Sequence, residues 1–310
     1  MNIYKKAEKP TIYFIGVTTE KSSIMRVFPK WAEALGIDAV IKGFNFTPHS
    51  DPALYRECVE FIKNDPLSMG ALVTTHKIDL YNSCKDLFEY MDPYAAKLGE
   101  ISSISKQDGK LCGHAKDPIS SGLALKNFVP ENYWKDFGGE VLLLGAGGAS
   151  LAMSLYLTQE GHGDNVPKKI TIANRSVPRL ESAKKILDGL NPKVSFAFIH
   201  NPTPADNDKT VMALPPHSLV VNATGLGKDA PGSPISDGCL FPQDSLVWEI
   251  NYRGDLIFMD QANSQREARG LVVEEGWIYF IHGWTQVIAE VFHVDLSARI
   301  PELSEIAKNA

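Results

Sequence analysis

Three glycines, Gly145, Gly147 and Gly148, stand between an apolar run and an apolar segment of helical character, and their spacing implies chemistry directly. The run Val141 to Leu144 predicts a strand covered on both faces in a parallel sheet. A glycine turn after such a strand lets a pyrophosphate approach backbone N–H groups at the positive end of the next helix. Ala146 lies within the turn. Ala149 and Ser150 stand where the common G-x-G-x-x-G pattern carries its later residues, so the match is partial. The next predicted strand, Lys169 to Ala173, falls about 20 to 30 residues on, where folds of this kind read the ribose. A site selective for NAD would end that strand in Asp or Glu; this chain reads Asn174, Arg175, Ser176, with Arg179 soon after. A guanidinium holds the 2′-phosphate that a carboxylate would repel. The expected cofactor is therefore NADP.

These residues need elements to position them, and the chain is long enough to supply two domains. It has 310 residues, 44% hydrophobic and 22% charged, an ordinary globular composition. A net charge of −6 and a pI near 5.8 give no electrostatic reason to bind nucleic acid or an anionic membrane. The expected partner is a small-molecule substrate, and the expected oligomer a monomer or homodimer. Cys58, Cys84, Cys112 and Cys239 are scattered, with no C-x-x-C and no histidine at metal-ligand spacing. Neither disulfides nor a metal site is expected, and the usage fits a reducing cytoplasm. The basic residues near the N-terminus precede an apolar stretch too short for a signal peptide or a membrane span, so the stretch reads as a first strand.

Apolar spacing predicts alternating strands and helices. Thr11 to Val17 is a strand, Ile24 to Leu35 a helix stopped by Gly36, and Ala39 to Phe44 a second strand. A helix over Pro52 to Ile62, a strand over Gly70 to Thr74 and a helix over Lys77 to Tyr90 continue the βαβ series. Ile101 to Ser105 leads to a hairpin-like turn at Asp108-Gly109, and a helix runs from Ile119 to Asn127. Beyond the glycine turn, the runs Ser195 to Ile199, Ser218 to Asn222, Ser245 to Glu249 and Gly270 to Val273 would complete a doubly wound sheet. Asn222, Ala223 and Thr224 follow one of these strands at the end where such sheets bind ligands. Trp277 to Phe292 and Leu296 to Ile306, the latter interrupted at Pro301, read as helices. On residue type alone, Lys77 is a solvated helix-start lysine and Asp117 an N-cap ahead of Pro118.

Taken together, six segments resemble the shikimate and quinate dehydrogenases: VTTHK ending at Lys77, DGKLCGHAKD ending at Asp117, GAGGAS from Gly145, ANRS from Ala173, NATGLG from Asn222 and EINYRG from Glu249. The resemblance covers nearly the whole chain. It implies an α/β fold with a substrate-binding and catalytic domain over residues 1–120, an NADP-binding Rossmann domain with a doubly wound parallel sheet over 121–275, and C-terminal helices over 276–310 packing on the first domain. The implied reaction transfers a hydride between NADP and a shikimate-like cyclic hydroxy acid, a step of aromatic amino acid biosynthesis. In it Lys77 exchanges the hydroxyl proton and Asp117 orients the hydroxyl. By the same resemblance Ser22, Ser102, Tyr252 and Gln286 face the substrate. Gly145, Ala146, Gly147, Gly148, Ala149, Asn174, Arg175, Ser176, Arg179, Asn222, Ala223 and Thr224 hold the cofactor.

The departures concentrate in the substrate shell. The family's S-x-S-P becomes Ser22-Ser23-Ile24-Met25, losing one of two hydroxyls that hold a carboxylate; Arg26 reads as a helix-surface arginine or, being near enough in sequence, as a substitute cation. The family's A-V-N-T becomes Glu100-Ile101-Ser102-Ser103, the N-T before the aspartate becomes Ala115-Lys116, and the proline of the lysine motif becomes Thr75. Gly283 replaces a glutamine, with Gln286 about one turn later. Gly254 replaces a proline, and Lys228 a methionine. His76, His114 and Trp284 read either as lining of a remodelled pocket or as packing residues. Two other classes fit the same plan: a methylene-tetrahydrofolate dehydrogenase-like oxidoreductase and a non-catalytic NADP-binding sensor.

Overall fold

A computed structural model describes residues 4–228 and 230–310, which fall into two compact units: 4–116 with Ile281–Ala310, and Asp117–Phe280. Among the described residues each unit is built on one six-stranded sheet. No helix among them is long and apolar enough to cross a membrane.

In the first unit the strands are β1 (Thr11–Gly16), β2 (Val40–Asn45), β3 (Ser68–Val73), β4 (Tyr90–Met91), β5 (Ser103–Gln107) and β6 (Lys110–His114), in the spatial order β2-β1-β3-β5-β6-β4. The βαβ series holds through β3, with β1 parallel to both β2 and β3 and buried along its whole length. A β5–β6 hairpin then makes the sheet mixed. Its two-residue turn has positive φ at both Asp108 (51°) and Gly109 (75°), the mirror-image turn whose twist suits a hairpin. The helix Ile24–Leu35 has the expected bounds, since Gly36 stops it in the left-handed conformation (φ 67°). Its buried face includes Val27, Phe28 and Trp31, and the Trp31 indole donates to the Leu303 carbonyl at 2.7 Å. The C-terminal helix Ile300–Lys308 thereby packs on the first helix of the same unit.

Three expected elements differ. The helix begun at Lys77 ends at Cys84, followed by a 3₁₀ turn over Lys85–Leu87, because the chain turns to pair β4 with β6. Glu89 secures this change by accepting the Leu111 N–H and pairing with Lys63. The helix expected from Ile119 begins two residues earlier, at Asp117. Pro301 does not interrupt a helix; it lies in the first turn of Ile300–Lys308, where its missing N–H costs no hydrogen bond.

The second unit contains β7 (Val141–Leu144), β8 (Lys169–Asn174), β9 (Ser195–His200), β10 (Leu219–Asn222), β11 (Leu246–Glu249) and β12 (Val272–Glu274). Every neighbouring pair is parallel, in the order β12-β11-β10-β7-β8-β9. Strand order reverses between β7 and β10, the switch point at which doubly wound sheets open a crevice at their carboxyl ends. β7, β10 and β11 are buried throughout, which accounts for their continuous apolar runs.

Candidate functional site

The glycine turn in the second unit is conformationally demanding. Gly145 adopts φ +115°, and a Cβ there would lie 2.7 Å from the Ala223 carbonyl oxygen. Its N–H donates to Ala173 at 2.8 Å, and its carbonyl accepts the Ser150 hydroxyl at 2.6 Å. The turn is thus pinned to β8 and to the helix Gly148–Leu157. Gly147 caps that helix and, having no side chain, leaves its first N–H groups without a side-chain acceptor from the cap. A Cβ on Gly147 would meet nothing within 4 Å. The turn therefore offers unscreened donors and open space together, the physical requirement for a bound phosphate.

Neighbouring strands bring the other predicted cofactor residues to the same edge. Asn174 ends β8; Arg175 and Arg179 are exposed, and Ser176 caps the following helix. Neither guanidinium has an ion-pair partner among the described residues, while the Arg175 carbonyl is fixed 3.2 Å from His200 Nε2. At the end of β10, Ala223 N–H donates to Leu144, tying the 222–227 turn to β7. Ala146 is buried, and Ala149 and Thr224 are half-buried.

The 222–227 turn rests on a buried carboxylate. Glu249, at the end of β11, is wholly buried and accepts hydrogen bonds from Asn222 Nδ2 (2.6 Å), Asn251 N (2.8 Å) and Asn251 Nδ2 (2.7 Å). Burial pushes its pKa up to about 7, against the opposing pull of those hydrogen bonds and of Lys228. Nearby, Tyr252 is half-buried and packs against Phe280, with ring centroids 4.5 Å apart. Gly254 has φ +101°, and a Cβ there would overlap the Gly227 carbonyl. Close approach of two turns thus accounts for the glycine.

In the first unit, Lys77 and Ser102 are brought together by the backbone. Lys77 opens the helix after β3, and its carbonyl accepts the Ile101 N–H at 3.1 Å; the Ser102 carbonyl accepts the Val73 N–H at 2.9 Å. The Ser102 hydroxyl is engaged internally, accepting the Lys116 N–H at 2.8 Å. Ser22 is half-buried at the end of a 3₁₀ turn after β1, Arg26 is exposed, and Ile24 is fully buried in the core. Gln286 is half-buried on the helix Trp277–Phe292. Trp284 packs against Phe14 at 5.1 Å, and His76 lies in the core against Tyr55 OH at 2.9 Å. Both side chains are buried. Asp117 belongs to the second unit and opens the helix Asp117–Leu125, its carbonyl accepting the Ser121 hydroxyl at 2.8 Å.

Two groups of residues have no signal in the sequence. Glu249 and Asn251 fall inside one of the six segments, yet burial, which makes them notable, has no signature in residue type. The other group is ionic: Glu290 pairs with Lys116 at 2.5 Å and with His114 Nε2 at 3.3 Å, while His114 Nδ1 lies 3.6 Å from Asp92. Burial alone would raise the Glu290 pKa, but Lys116 and His114 hold it below the usual carboxylate range. Among the described residues no group of His, Cys, Asp and Glu could hold a metal ion.

No family model matches the chain. It is 31% identical over 163 residues to the shikimate dehydrogenase (NADP(+)) of Streptococcus thermophilus, covering 53% of each chain. To the enzyme of the same name from Bacillus thuringiensis subsp. konkukian it is 32% identical over 228 residues, covering 73% of each. The chain thus spans about half the length of the first of these curated relatives and nearly three quarters of the second. The fold is that of shikimate 5-dehydrogenase from Thermus thermophilus, solved in complex with NADP(H) and shikimate: the TM-score is 0.70 at 18% identity, over 96% of this chain and 98% of that one. With a third of residues identical across most of its length, its six ordered segments and the matching two-unit fold, this chain belongs to the shikimate dehydrogenase family.

Proposed function

We propose that the protein is an NADP-dependent oxidoreductase that moves a hydride between NADP and a shikimate-like cyclic hydroxy acid. The observation that carries the reading is the open turn at Gly147, heading a bare helix N-terminus and flanked along the sheet edge by Arg175 and Arg179. The turn's N–H groups take the pyrophosphate, and the two guanidiniums take the 2′-phosphate through charge-assisted hydrogen bonds. NADP, when bound, supplies the hydride acceptor. Asn222, Ala223 and Thr224 form the adjoining wall, and Tyr252 packs beside it.

In this reading Lys77 takes the proton from the substrate hydroxyl as the hydride leaves its carbon, and Asp117 accepts a hydrogen bond that orients the hydroxyl. Ser22 and Gln286 supply polar contacts to the substrate. Ser102 differs in the chemistry it offers, because its hydroxyl already accepts the Lys116 N–H (2.8 Å) and faces the His114 carbonyl (3.5 Å) with its own proton. Ile24 offers nothing to a carboxylate, since it is core. The acid bound therefore differs from shikimate in how its carboxylate and ring hydroxyls are held, or shikimate itself is turned over slowly.

The test is NADP reduction by the purified protein with shikimate, quinate, aminated analogues and simpler cyclic hydroxy acids, with Lys77→Ala as control. Turnover on one of these, falling by about 10² to 10⁴-fold in the variant with NADP affinity unchanged, is the expected result. Tight NADP binding with no reduction on any of them would refute the catalytic reading in favour of a sensing role.

A further inference from the structure

Besides backbone hydrogen bonds such as Ala223 N–H to the Leu144 carbonyl (2.9 Å) and Gly227 N–H to the Ala230 carbonyl (2.8 Å), the 222–227 turn is held by two asparagines that share one carboxylate. Asn222 Oδ1 accepts both the Thr224 N–H (3.1 Å) and the Thr224 hydroxyl (2.6 Å), and Thr224 Oγ1 in turn accepts the Leu226 N–H at 3.2 Å. From the other side, Asn251 Nδ2 donates to the Thr224 carbonyl at 3.1 Å. Each asparagine can reach the turn in this way only with its amide in one orientation. Glu249 sets that orientation: its Oε2 takes Asn222 Nδ2, and its Oε1 takes both Asn251 donors.

We propose that Glu249 is a positioning residue for the cofactor, its carboxylate orienting Asn222 and Asn251 so that these fix the 222–227 turn and make dinucleotide affinity follow the charge on Glu249. The proposal rests on the reading that this turn walls the NADP site.

The chemistry is one of donors and acceptors. An ionised carboxylate only accepts, and all three groups facing Glu249 donate. A protonated carboxyl would set an O–H against an N–H. Rotating the Asn222 amide relieves that clash at the carboxyl but then turns its NH₂ toward the Thr224 N–H, and the turn loses its anchor. The charged group that bears on Glu249 is Lys228, which favours the carboxylate. Since burial brings the transition to about 7, both states are accessible in ordinary buffers.

Two measurements on the 310-residue chain test this. The first follows the side-chain amide resonances of Asn222 and Asn251 by ¹H–¹⁵N NMR from about pH 5.5 to 9 without ligand, assigned by Asn222→Ala and Asn251→Ala. A titration centred near 7 in the wild type and absent from Glu249→Gln is expected. The second measures the NADP dissociation constant over the same range. If only the ionised form holds the turn, affinity near pH 6 is about tenfold weaker than at about pH 8.5, beyond the change that 2′-phosphate ionisation at about pH 6 imposes on both proteins, and Glu249→Gln is weak and shows only that shared change. Amides that do not titrate overturn the proposal, as does a pH dependence of NADP affinity in the wild type no larger than that of Glu249→Gln. If NADP binds at no pH, the cofactor reading fails separately; titrating amides then still uphold the hub, and flat ones reject it.

Discussion

Gly145 and Gly147 are two residues apart, yet their surroundings predict opposite failures when each is changed to alanine. At Gly145 the backbone sits at φ +115°, a region closed to L-residues, and the new Cβ would meet Ala223 O at 2.7 Å and Ala223 C at 3.0 Å. Backbone strain and overpacking together cost about 3–5 kcal/mol, enough to lower the melting temperature of the second unit by roughly 10 °C. At Gly147 the backbone (φ −97°, ψ −175°) suits alanine, and the Cβ has no neighbour within 4 Å. Losing a glycine N-cap costs a few tenths to about 1 kcal/mol, and the gain from restricting the unfolded chain is of similar size, so stability should stay within about 0.5 kcal/mol. The open space is what a pyrophosphate would occupy, so the same methyl should weaken NADP binding by at least about tenfold, or about 1.4 kcal/mol. Calorimetric melting and NADP titration of the two variants separate the effects. A Gly147→Ala protein that binds NADP like the wild type would refute the argument that the cofactor approaches this turn, and a Gly145→Ala protein of wild-type stability would refute the strain assignment.

Replacing both Arg175 and Arg179 by alanine should lower NADP affinity by about tenfold or more while leaving NAD affinity unchanged, because only the 2′-phosphate uses them; an equal loss for both cofactors in parallel titrations would contradict this. Lys116→Met leaves the Glu290 carboxylate largely enclosed with only the two histidines His114 and His293 to favour its charge, a loss of about 1–3 kcal/mol by urea unfolding. Glu290 has a lowered pKa, so its contribution is present above the ordinary carboxylate range and lost as pH falls through the folded value. The stability gap between wild type and variant should accordingly be widest near neutral pH and close as pH falls through the folded value, because the variant has lost the group that lowers the Glu290 pKa; a gap independent of pH would count against the pair. Glu249 works in the other sense. Its folded pKa of about 7 lies above the ordinary 4.5, so its contribution is full below the ordinary value and is lost as pH rises through about 7. Between pH 4.5 and 7 the wild type should lose about 3 kcal/mol relative to Glu249→Gln. Parallel stability curves for the two proteins would show the shift to be absent.

Where function depends on local grammar, the sequence is readable. The apolar run, glycine turn and helix at 141–157 are contiguous, so backbone preference and burial pattern are written in adjacent residues. The helix Ile24–Leu35 has bounds visible in the chain because Gly36 stops it chemically. Long-range contacts are not readable. Nothing near Lys116 announces Glu290, 174 residues away, and nothing in the residue types says that the Ser102 hydroxyl is engaged by a backbone N–H. Ile24 reads as a lost substrate contact in the sequence, whereas its side chain is core. The helix after Lys77 reads too long because its apolar spacing continues past Cys84, and only the pairing of β4 with β6 ends it.

The first unit is assembled from two stretches of chain separated by the whole of the second, and this orders events during synthesis. When residue 116 leaves the ribosome, the Trp31 indole still lacks Leu303 and the Ala34 carbonyl lacks Arg299. The helix that puts Phe292 beside Phe28 has yet to be made. The second unit has all its strands once residue 274 has emerged and can fold as a continuous piece. The earlier-made unit must therefore wait, with apolar surface uncovered, for the stretch Ile281–Ala310. Nascent chains stalled before Ile281 should accordingly be the ones that recruit chaperones, although their nucleotide-binding half is already folded.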